Sequence, residues 1–292
     1  MHWRHLRDIP AAFYVALAAA AILLIGGVAY SYHSRNATAN TAIEFERDML
    51  RERAAAAETE NENLRSLLQQ AADENAAFGK RVEELANTVG YLDKLSKTDR
   101  ELLQKYSSVY FLSENFIPDP LVPIDDELVL RPEAHLQLHG QVFPFLKRMM
   151  EAAEDAGVPL KVLSAYRSFG TQTSLKASYK VTYGAGSANQ FSADQGYSEH
   201  QLGSTIDFTT DENGASLASF KGSPQYDWLV SHAHEYGFIL SYPEGNRYFE
   251  FEPWHWRFVG KDLANRLYQE NKTFYDLDQR EINPYLARIF DE

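Results

Sequence analysis

A run of twenty uncharged residues, from Ala11 to Tyr30, constrains the N-terminal part of this chain more than any other feature. Since a helix rises about 1.5 Å per residue, roughly 20 residues cross the apolar core of a bilayer. Arg4 and Arg7 precede the run, which favours a cytoplasmic N-terminus and export of everything that follows. We therefore predict a cytoplasmic N-terminus over residues 1–10 and a transmembrane signal anchor over residues 11–30.

Two other interpretations of the apolar run stay open. A cleaved signal peptide is one, since Gly27-Val28-Ala29 could serve as a small-residue cleavage site. The length of the run and the bulky Tyr30 and Tyr32 favour an uncleaved anchor. A buried core helix is the other alternative, and the lack of a polar face argues against it.

The next segment, residues 31–106, has the pattern of a long polar helix. No proline occurs between Thr41 and Tyr106, and charged residues fill many of its positions. One position of a seven-residue repeat is apolar throughout, as follows: Ile43, Leu50, Ala57, Leu64, Ala71, Phe78, Leu85 and Leu92. The repeat predicts a coiled-coil stalk that could form a homo-oligomer, with Asn61 and Asn75 fixing its register. The alternative is a single amphipathic helix that packs on its own domain.

Composition excludes several classes of protein. The 292 residues include 41 acidic and 28 basic side chains, giving a formal net charge of −13. Such a chain does not bind nucleic acid through a broadly basic surface. It also has no cysteine, which excludes disulfides and thiolate metal sites. Any metal must therefore be held by His, Asp or Glu.

The globular domain is predicted over residues 107–292, entered through a connector with prolines at 118, 120 and 123. Its patterns predict helices over Pro132–His139, Phe145–Ala156 and Tyr226–Tyr236. They predict strands over Leu160–Leu163, Thr205–Thr210, Phe238–Tyr242 and Tyr248–Val259. Because no regular βαβ rhythm runs through these elements, we predict an α+β fold: a small mixed sheet with flanking helices.

Two short stretches of the domain contain the residue types of a metal site. His200 and Asp207 lie seven residues apart with Gly203 between them, and His255 follows in an aromatic stretch. A catalytic zinc site needs three protein ligands and leaves one coordination position open. His200, Asp207 and His255 could be the three ligands. A single histidine beside aromatic residues is more often a packed or surface side chain. The metal interpretation therefore depends on the three residues coming together.

Glu252 lies three residues before His255, in the sequence Glu-Pro-Trp-His-Trp. Positions three apart on a regular strand point to opposite faces. Pro253 disfavours regular pairing, so a local bulge would let both side chains converge. Glu252 could then act as a general base toward an attacking water whose pKa the metal lowers.

Four ordered motifs resemble the VanY-type D-alanyl-D-alanine carboxypeptidases, zinc peptidases of the LAS group that trim bacterial peptidoglycan stems. The motifs are Ser164-Ala165-Tyr166-Arg167-Ser168 with Gln172, the run from Ser198 to Asp207, the run from Tyr236 to Pro243, and Glu252 to Trp256. The resemblance covers roughly residues 129–260 and implies the LAS/hedgehog-type peptidase fold. Ala165 and Thr205 depart from the family's pattern, but neither departure removes a functional group.

The resemblance also implies roles for individual residues. It implies Zn²⁺ bound by His200, Asp207 and His255, with Glu252 as the catalytic base. Arg167 matches the arginine that contacts the substrate and stabilises the oxyanion, although by itself it would be taken for a surface ion-pair partner. The polar residues implied to help hold the peptide are Ser198, Gln172 and Ser164.

Three functions remain in competition at this point. The first is a membrane-tethered, extracytoplasmic zinc carboxypeptidase that removes the terminal D-alanine from peptidoglycan stem peptides. The second is zinc-dependent hydrolysis of a different peptide bond, by an L,D-carboxypeptidase on tetrapeptide stems or by a peptidoglycan endopeptidase. The third is a coiled-coil scaffold that binds the wall or a partner without hydrolysis. The ligand motifs do not separate the first two.

Overall fold

The structure, a computed structural model, describes residues 10–105, 111–183, 193–246 and 248–291. The predicted cytoplasmic segment therefore lies outside the described residues apart from Pro10, and so do Arg4 and Arg7. The chain divides into two compact units, Met1–Glu84 and Leu85–Glu292.

The first unit consists of the greater part of one long helix, α1, which runs from Ala11 to Lys97. The helix thus runs through the predicted anchor and into the predicted stalk as far as Lys97, because no proline interrupts it. Within α1 lies a stretch long and apolar enough to cross a membrane, by length and composition only. Described residues as far as Glu84 have exposed side chains, including Leu64 at 51% and Phe78 at 65%.

The second unit contains two small sheets. Strands β1 (Leu121–Pro123) and β2 (Gln137–His139) form an antiparallel pair. A four-stranded antiparallel sheet has the order β3-β4-β6-β5. Its strands are β3 (Lys161–Ser164), β4 (Thr205–Thr209), β5 (Phe238–Leu240) and β6 (His255–Phe258).

Helices surround these sheets, as predicted, but the predicted mixed sheet is wrong in one respect: every pair of these strands is antiparallel. The α-helices are α2 (Phe143–Asp155), α3 (Phe169–Tyr183), α4 (Pro224–His232), α5 (Lys261–Gln269) and α6 (Gln279–Ile282). The 3-10 helices are Arg100–Leu103, Asp126–Leu128, Pro132–Ala134, Glu199–Leu202, Leu217–Gly222, Ala233–Tyr236, Phe274–Asp276 and Asn283–Arg288.

Alternation along β4 and β6 separates the core from the opposite face of the sheet. Ile206 and Phe208 are fully buried in the main apolar core, while Asp207 between them points to the other side. Phe258 on β6 packs on Phe145 of α2, with 4.8 Å between the ring centroids. The sheet therefore buries one face against α2 and leaves polar side chains on the other.

The end of α1 and the turn after it belong to the same core. Leu102 and Leu103 are buried in it, and Leu95 packs against it. This apolar packing joins Leu95, Leu102 and Leu103 to the compact unit Leu85–Glu292.

Two predicted elements are wrong. Pro132–His139 is not a helix: a 3-10 turn ends at Ala134, His135 adopts the left-handed conformation (φ 46°), and Gln137–His139 pairs with β1. The predicted strand Tyr248–Val259 shrinks to His255–Phe258, because a turn precedes it in which the His255 N–H donates to the Glu252 carbonyl. Pairing with neighbouring strands decided both regions, and local pattern could not reveal it.

The helices predicted over Phe145–Ala156 and Tyr226–Tyr236 are confirmed. The second of them tightens into a 3-10 turn after His232. The other three strands are present with ends shifted by one or two residues. Helix α3 was not predicted, since its Ser- and Thr-rich sequence has only a weak apolar face.

Candidate metal centre

Strand register brings the candidate metal ligands together. Asp207 on β4 lies directly opposite His255 on β6 and is paired with Ser164 on β3. Residues opposite each other in an antiparallel pair project from the same face, with Cβ atoms about 5 Å apart. The side chains of Asp207, His255 and Ser164 therefore point to the polar face of the sheet.

His200 reaches the same place from a 3-10 turn that leads into β4. Gly203 ends that turn in the left-handed conformation, with φ 67°. A Cβ atom there would lie 2.9 Å from Pro118 Cγ, so the position needs glycine for both conformation and space. The tight turn lets a side chain that precedes the strand face one that lies within it.

The three side chains form a compact, buried set of nitrogen and oxygen donors. His200 Nε2 lies 3.2 Å from Asp207 Oδ2, and His255 Nδ1 lies 3.1 Å from Asp207 Oδ1. One donor atom from each residue falls within 4.8 Å of the other two. Ligands about 2.05 Å from a tetrahedral zinc ion are about 3.3 Å apart, so a donor set within 4.8 Å would close on such an ion through small side-chain movements.

Proton positions on the two imidazoles also favour a cation between these residues. His200 Nδ1 faces the Ala165 carbonyl oxygen at 2.7 Å, and His255 Nε2 faces Glu199 Oε2 at 3.1 Å. Carbonyl and carboxylate oxygens accept hydrogen bonds, so each of these ring nitrogens carries the proton. In the neutral rings the other nitrogens, His200 Nε2 and His255 Nδ1, direct lone pairs toward Asp207. A metal ion satisfies all three donors at once.

Glu252 approaches the same centre. Its Oε2 atom lies 3.6 Å from His255 Nδ1, and its side chain is 22% exposed. The turn between the two residues, rather than a bulge within a strand, brings them together, since β6 starts only at His255. Glu252 is therefore near the donor set and still open to an approaching molecule.

The two carboxylates of the centre, Glu252 and Asp207, have pKa values shifted in opposite directions. Burial raises the pKa of Glu252 to about 7; His255 and Arg167 oppose this rise, and Asp207 adds to it. Burial would also raise the pKa of Asp207, but His200 and His255 outweigh it and hold that pKa well below the usual range. Asp207 is thus the anionic ligand, whereas Glu252 can exchange a proton near neutral pH.

The pKa values of the two imidazoles, His200 and His255, are also shifted in opposite directions. Burial lowers the pKa of His200 to about 4, with nearby Arg167 contributing and Asp207 opposing. Burial also lowers the pKa of His255, but hydrogen bonds to Asp207 and Glu199 outweigh it and raise that pKa to about 9. A ring held between two carboxylates attracts positive charge, which either a proton or a metal ion supplies.

Arg167 lies at the edge of the centre, in the loop after β3. Its NH1 group is 3.6 Å from Asp207 Oδ2, and its side chain is 20% exposed. Arg167 NH1 donates to Ser164 Oγ at 2.7 Å, and Arg167 Nε donates to Gln172 Oε1 at 3.0 Å. Ser164 and Gln172 therefore hold the guanidinium in place.

Ser198 is buried and begins the 3-10 turn that carries His200, where its side chain makes no capping hydrogen bond.

Other histidines lie apart from this set. His139 stacks on Phe290 and His234 stacks on Tyr268. Neither belongs to the metal-compatible group found among the described residues.

Sequence reasoning missed one buried pair beside the centre. Glu199 and Arg257 are both 0% exposed, and Arg257 NH1 donates to Glu199 Oε1 at 2.8 Å. A signal was available: Arg257 is two residues from His255, so on a strand it shares the same face. A cation among aromatic residues needs a buried counter-charge.

Comparisons with known proteins find similarity over the region that contains this site. The model of the VanY family, described as D-alanyl-D-alanine carboxypeptidase, matches residues 135–261. The YodJ protein of Bacillus subtilis (strain 168) is 30% identical over 194 residues, which cover 62% of this chain and 71% of that protein. The bifunctional D-Ala-D-Ala dipeptidase and D-Ala-D-Ala carboxypeptidase VanXYC of Enterococcus gallinarum is 30% identical over 195 residues, covering 64% and 95%.

Among solved structures, the LD-carboxypeptidase LdcB is similar, with a TM-score of 0.52 and 29% identity. The match covers 59% of this chain and 82% of that one. The matched family region contains all three candidate metal ligands together with Glu252 and Arg167.

Proposed function

This chain belongs to the VanY family of D-alanyl-D-alanine carboxypeptidases, and we propose that it is a zinc carboxypeptidase that removes the terminal D-alanine from peptidoglycan stem peptides. One observation carries the proposal: His200 Nε2 and His255 Nδ1 converge on the carboxylate of Asp207, beside a second carboxylate, Glu252, whose pKa burial raises to about 7. This arrangement combines a metal site with a general base, which hydrolysis of a peptide bond needs.

His200, Asp207 and His255 hold the zinc ion. The ion, when bound, lowers the pKa of the attacking water and polarises the scissile carbonyl group. Nitrogen and carboxylate donors in a set of three suit zinc, and the absence of cysteine from the chain removes the competing thiolate sites.

Glu252 moves the protons. It accepts a proton from the attacking water as the water oxygen bonds to the carbonyl carbon. It then gives that proton to the leaving amine nitrogen as the carbon–nitrogen bond breaks. A pKa near 7 suits both directions of transfer at neutral pH.

Arg167 binds the negative charge of the substrate. Its partly exposed guanidinium is fixed by Ser164 and Gln172, so it enters the reaction already oriented toward a peptide carboxylate or a developing oxyanion. Ser164 and Gln172 thus act on the substrate through Arg167. Ser198 provides a buried hydroxyl beside the His200 turn for the peptide itself.

Changing Arg167 to lysine should lower kcat/KM by about 100-fold, because lysine keeps the charge but loses the planar fork held by two partners. Steady-state hydrolysis of a pentapeptide stem measures the effect. Zinc affinity should stay within about threefold of wild type, since Arg167 donates no ligand. Arg280→Lys, at an exposed position, is the matched control. An Arg167→Lys enzyme with wild-type kcat/KM would remove Arg167 from the proposed mechanism.

The cleaved bond is tested with two substrates side by side. The full chain, purified in detergent and loaded with zinc, is incubated with a pentapeptide stem and a tetrapeptide stem, and products are identified by mass spectrometry. We expect loss of one alanine from the pentapeptide. Similarity to LdcB supports an L,D-carboxypeptidase as the second candidate, which predicts loss from the tetrapeptide alone. Cleavage of neither by the zinc-loaded chain would contradict both and favour an endopeptidase or a binding protein.

We further propose that residues 11–30 anchor the protein in the membrane. The globular domain, residues 107–292, is then extracytoplasmic. Its proposed fold is the LAS/hedgehog-type peptidase fold. The apolar stretch of α1 and the location of peptidoglycan outside the membrane support this topology. Mass measurement of the protein in the membrane fraction should find the N-terminal segment intact. A protein shortened near residue 29 would favour the cleaved signal peptide.

The stalk region, residues 31–106, is proposed to pair with a second copy of the chain. Its apolar repeat is exposed along α1, as at Leu64 and Phe78, and most helical stability in proteins comes from packing of such an apolar face. Sedimentation of the full chain in detergent should give at least two copies per particle. Leu64→Asp with Phe78→Asp should give single chains, while Asp73→Ser, outside the stripe, should not. A wild-type monomer would contradict the pairing.

A further inference from the structure

Glu199 lies immediately before His200 in sequence but contacts the other imidazole of the centre. Its Oε2 atom is 3.1 Å from His255 Nε2, on the opposite side of that ring from Asp207. We propose that Glu199 is a positioning residue that fixes the tautomer and direction of His255, an inference that rests on the metal site of the proposed function. Arg257 in turn fixes the position of Glu199 through a hydrogen bond.

The tautomer of His255 decides which nitrogen can bind a metal ion. Since Glu199 accepts the Nε2 proton, Nδ1 keeps its lone pair and faces the centre. Ring rotation is restricted as well, because Tyr242 stacks on His255 with centroids 4.0 Å apart and planes 11° from parallel. Loss of the acceptor at Nε2 would remove the hydrogen bond that selects this tautomer.

Arg257 supplies the charge that lets a carboxylate stay buried beside the ring. Arg257 NH1 donates to Glu199 Oε1 at 2.8 Å, and Tyr275 donates its hydroxyl proton to the same oxygen at 3.0 Å. The two Glu199 oxygens are thus divided, one held by Arg257 and Tyr275 and the other left for His255. The carboxylate is fixed in direction before any metal binds.

Arg257 is itself held by main-chain atoms of the turn that follows α1. Arg257 NH2 donates to the Leu102 carbonyl at 2.7 Å and to the Gln104 carbonyl at 2.9 Å. Gln279 of α6 donates to the carbonyl of Leu103, which lies between them, at 3.0 Å. Hydrogen bonds therefore run without a break from the 102–104 backbone through Arg257 and Glu199 to a metal ligand.

Stability alone does not account for this arrangement. A fully buried ion pair pays a large desolvation cost, and apolar side chains of similar size often replace it without loss of stability. Carboxylates that orient metal-binding imidazoles, in contrast, typically change metal affinity 10- to 100-fold when they are lost. The position of Glu199 on the non-ligand nitrogen matches this second role.

Two double variants of the full chain, purified in detergent and stripped of metal, separate positioning from packing. Glu199→Leu with Arg257→Met removes the acceptor and both charges. Glu199→Gln with Arg257→Met removes both charges but keeps an amide oxygen near His255 Nε2. We expect the leucine variant to bind zinc 10- to 100-fold more weakly than wild type, and the glutamine variant to recover about tenfold of that loss. Competition with a chromophoric chelator measures affinity, and thermal unfolding of the metal-free proteins should be the same for both variants.

Equal zinc affinity in the two double variants would overturn the proposal. If neither variant folds, the wild type still decides the question: ¹⁵N shifts of labelled histidine in the zinc-loaded chain should show the His255 proton on Nε2 and the metal on Nδ1. The opposite assignment would overturn the proposal. A wild-type chain that binds no zinc would instead contradict the proposed function.

Discussion

Replacing Glu252 with glutamine should lower kcat by about 10²- to 10⁴-fold, the range expected when a general base is lost. Glutamine has nearly the same shape but can neither accept the proton of the attacking water nor return it to the leaving amine. Because Glu252 stands beside the donor set without belonging to it, zinc affinity should change by less than about threefold. Hydrolysis of the pentapeptide stem and zinc titration measure the two quantities on one preparation.

The matched control for this substitution is Glu250→Gln. Glu250 is exposed and lies two residues away, so its loss changes the charge of the chain by the same amount without touching the centre. It should retain wild-type kcat. Since the Glu252 carboxylate acts in the transition state, kcat and kcat/KM should fall together in Glu252→Gln. A Glu252→Gln enzyme that keeps more than a tenth of wild-type kcat would contradict the assignment of Glu252 as the base.

Replacing Asp207 with asparagine should weaken zinc binding at least about 100-fold, beyond the range seen when an orienting residue is lost. The change keeps the shape of the side chain and removes the one anionic ligand between two imidazoles. At free zinc 100 times the wild-type Kd, binding raises the unfolding free energy of wild type by about 2.7 kcal/mol. The variant should gain only about 0.4 kcal/mol at the same concentration, following the same relation.

Thermal or denaturant unfolding with and without zinc measures this difference. Hydrolysis should be lost from the variant and from wild type treated with a chelator, and zinc should restore activity to wild type alone. Asp211→Asn, at an exposed position four residues further on, is the control that should behave as wild type. Equal zinc stabilisation of wild type and Asp207→Asn would place the metal elsewhere.

Sequence by itself determined the residues of the centre and the helices with strong periodicity. The spacing of His200, Gly203 and Asp207 is local, so it can be seen in the sequence before any strand pairing is known. The helix at Phe143–Asp155 follows from a pronounced apolar stripe bounded by Pro144 and Gly157. A resemblance to a known family added roles for Arg167 and Glu252 because those residues occur within ordered motifs.

Only tertiary structure decided how distant segments support that centre. Glu199 and Arg257 are 58 residues apart, and the 102–104 carbonyls are more than 150 residues from Arg257. Their contacts depend on strand register and on the packing of a turn after α1, which no local pattern encodes. The same reason explains why Gln137–His139 forms a strand where a helix over Pro132–His139 was predicted: pairing with Leu121–Pro123 outweighed local preference. Local periodicity reports what a segment can form, whereas hydrogen bonds between distant segments determine what it does form.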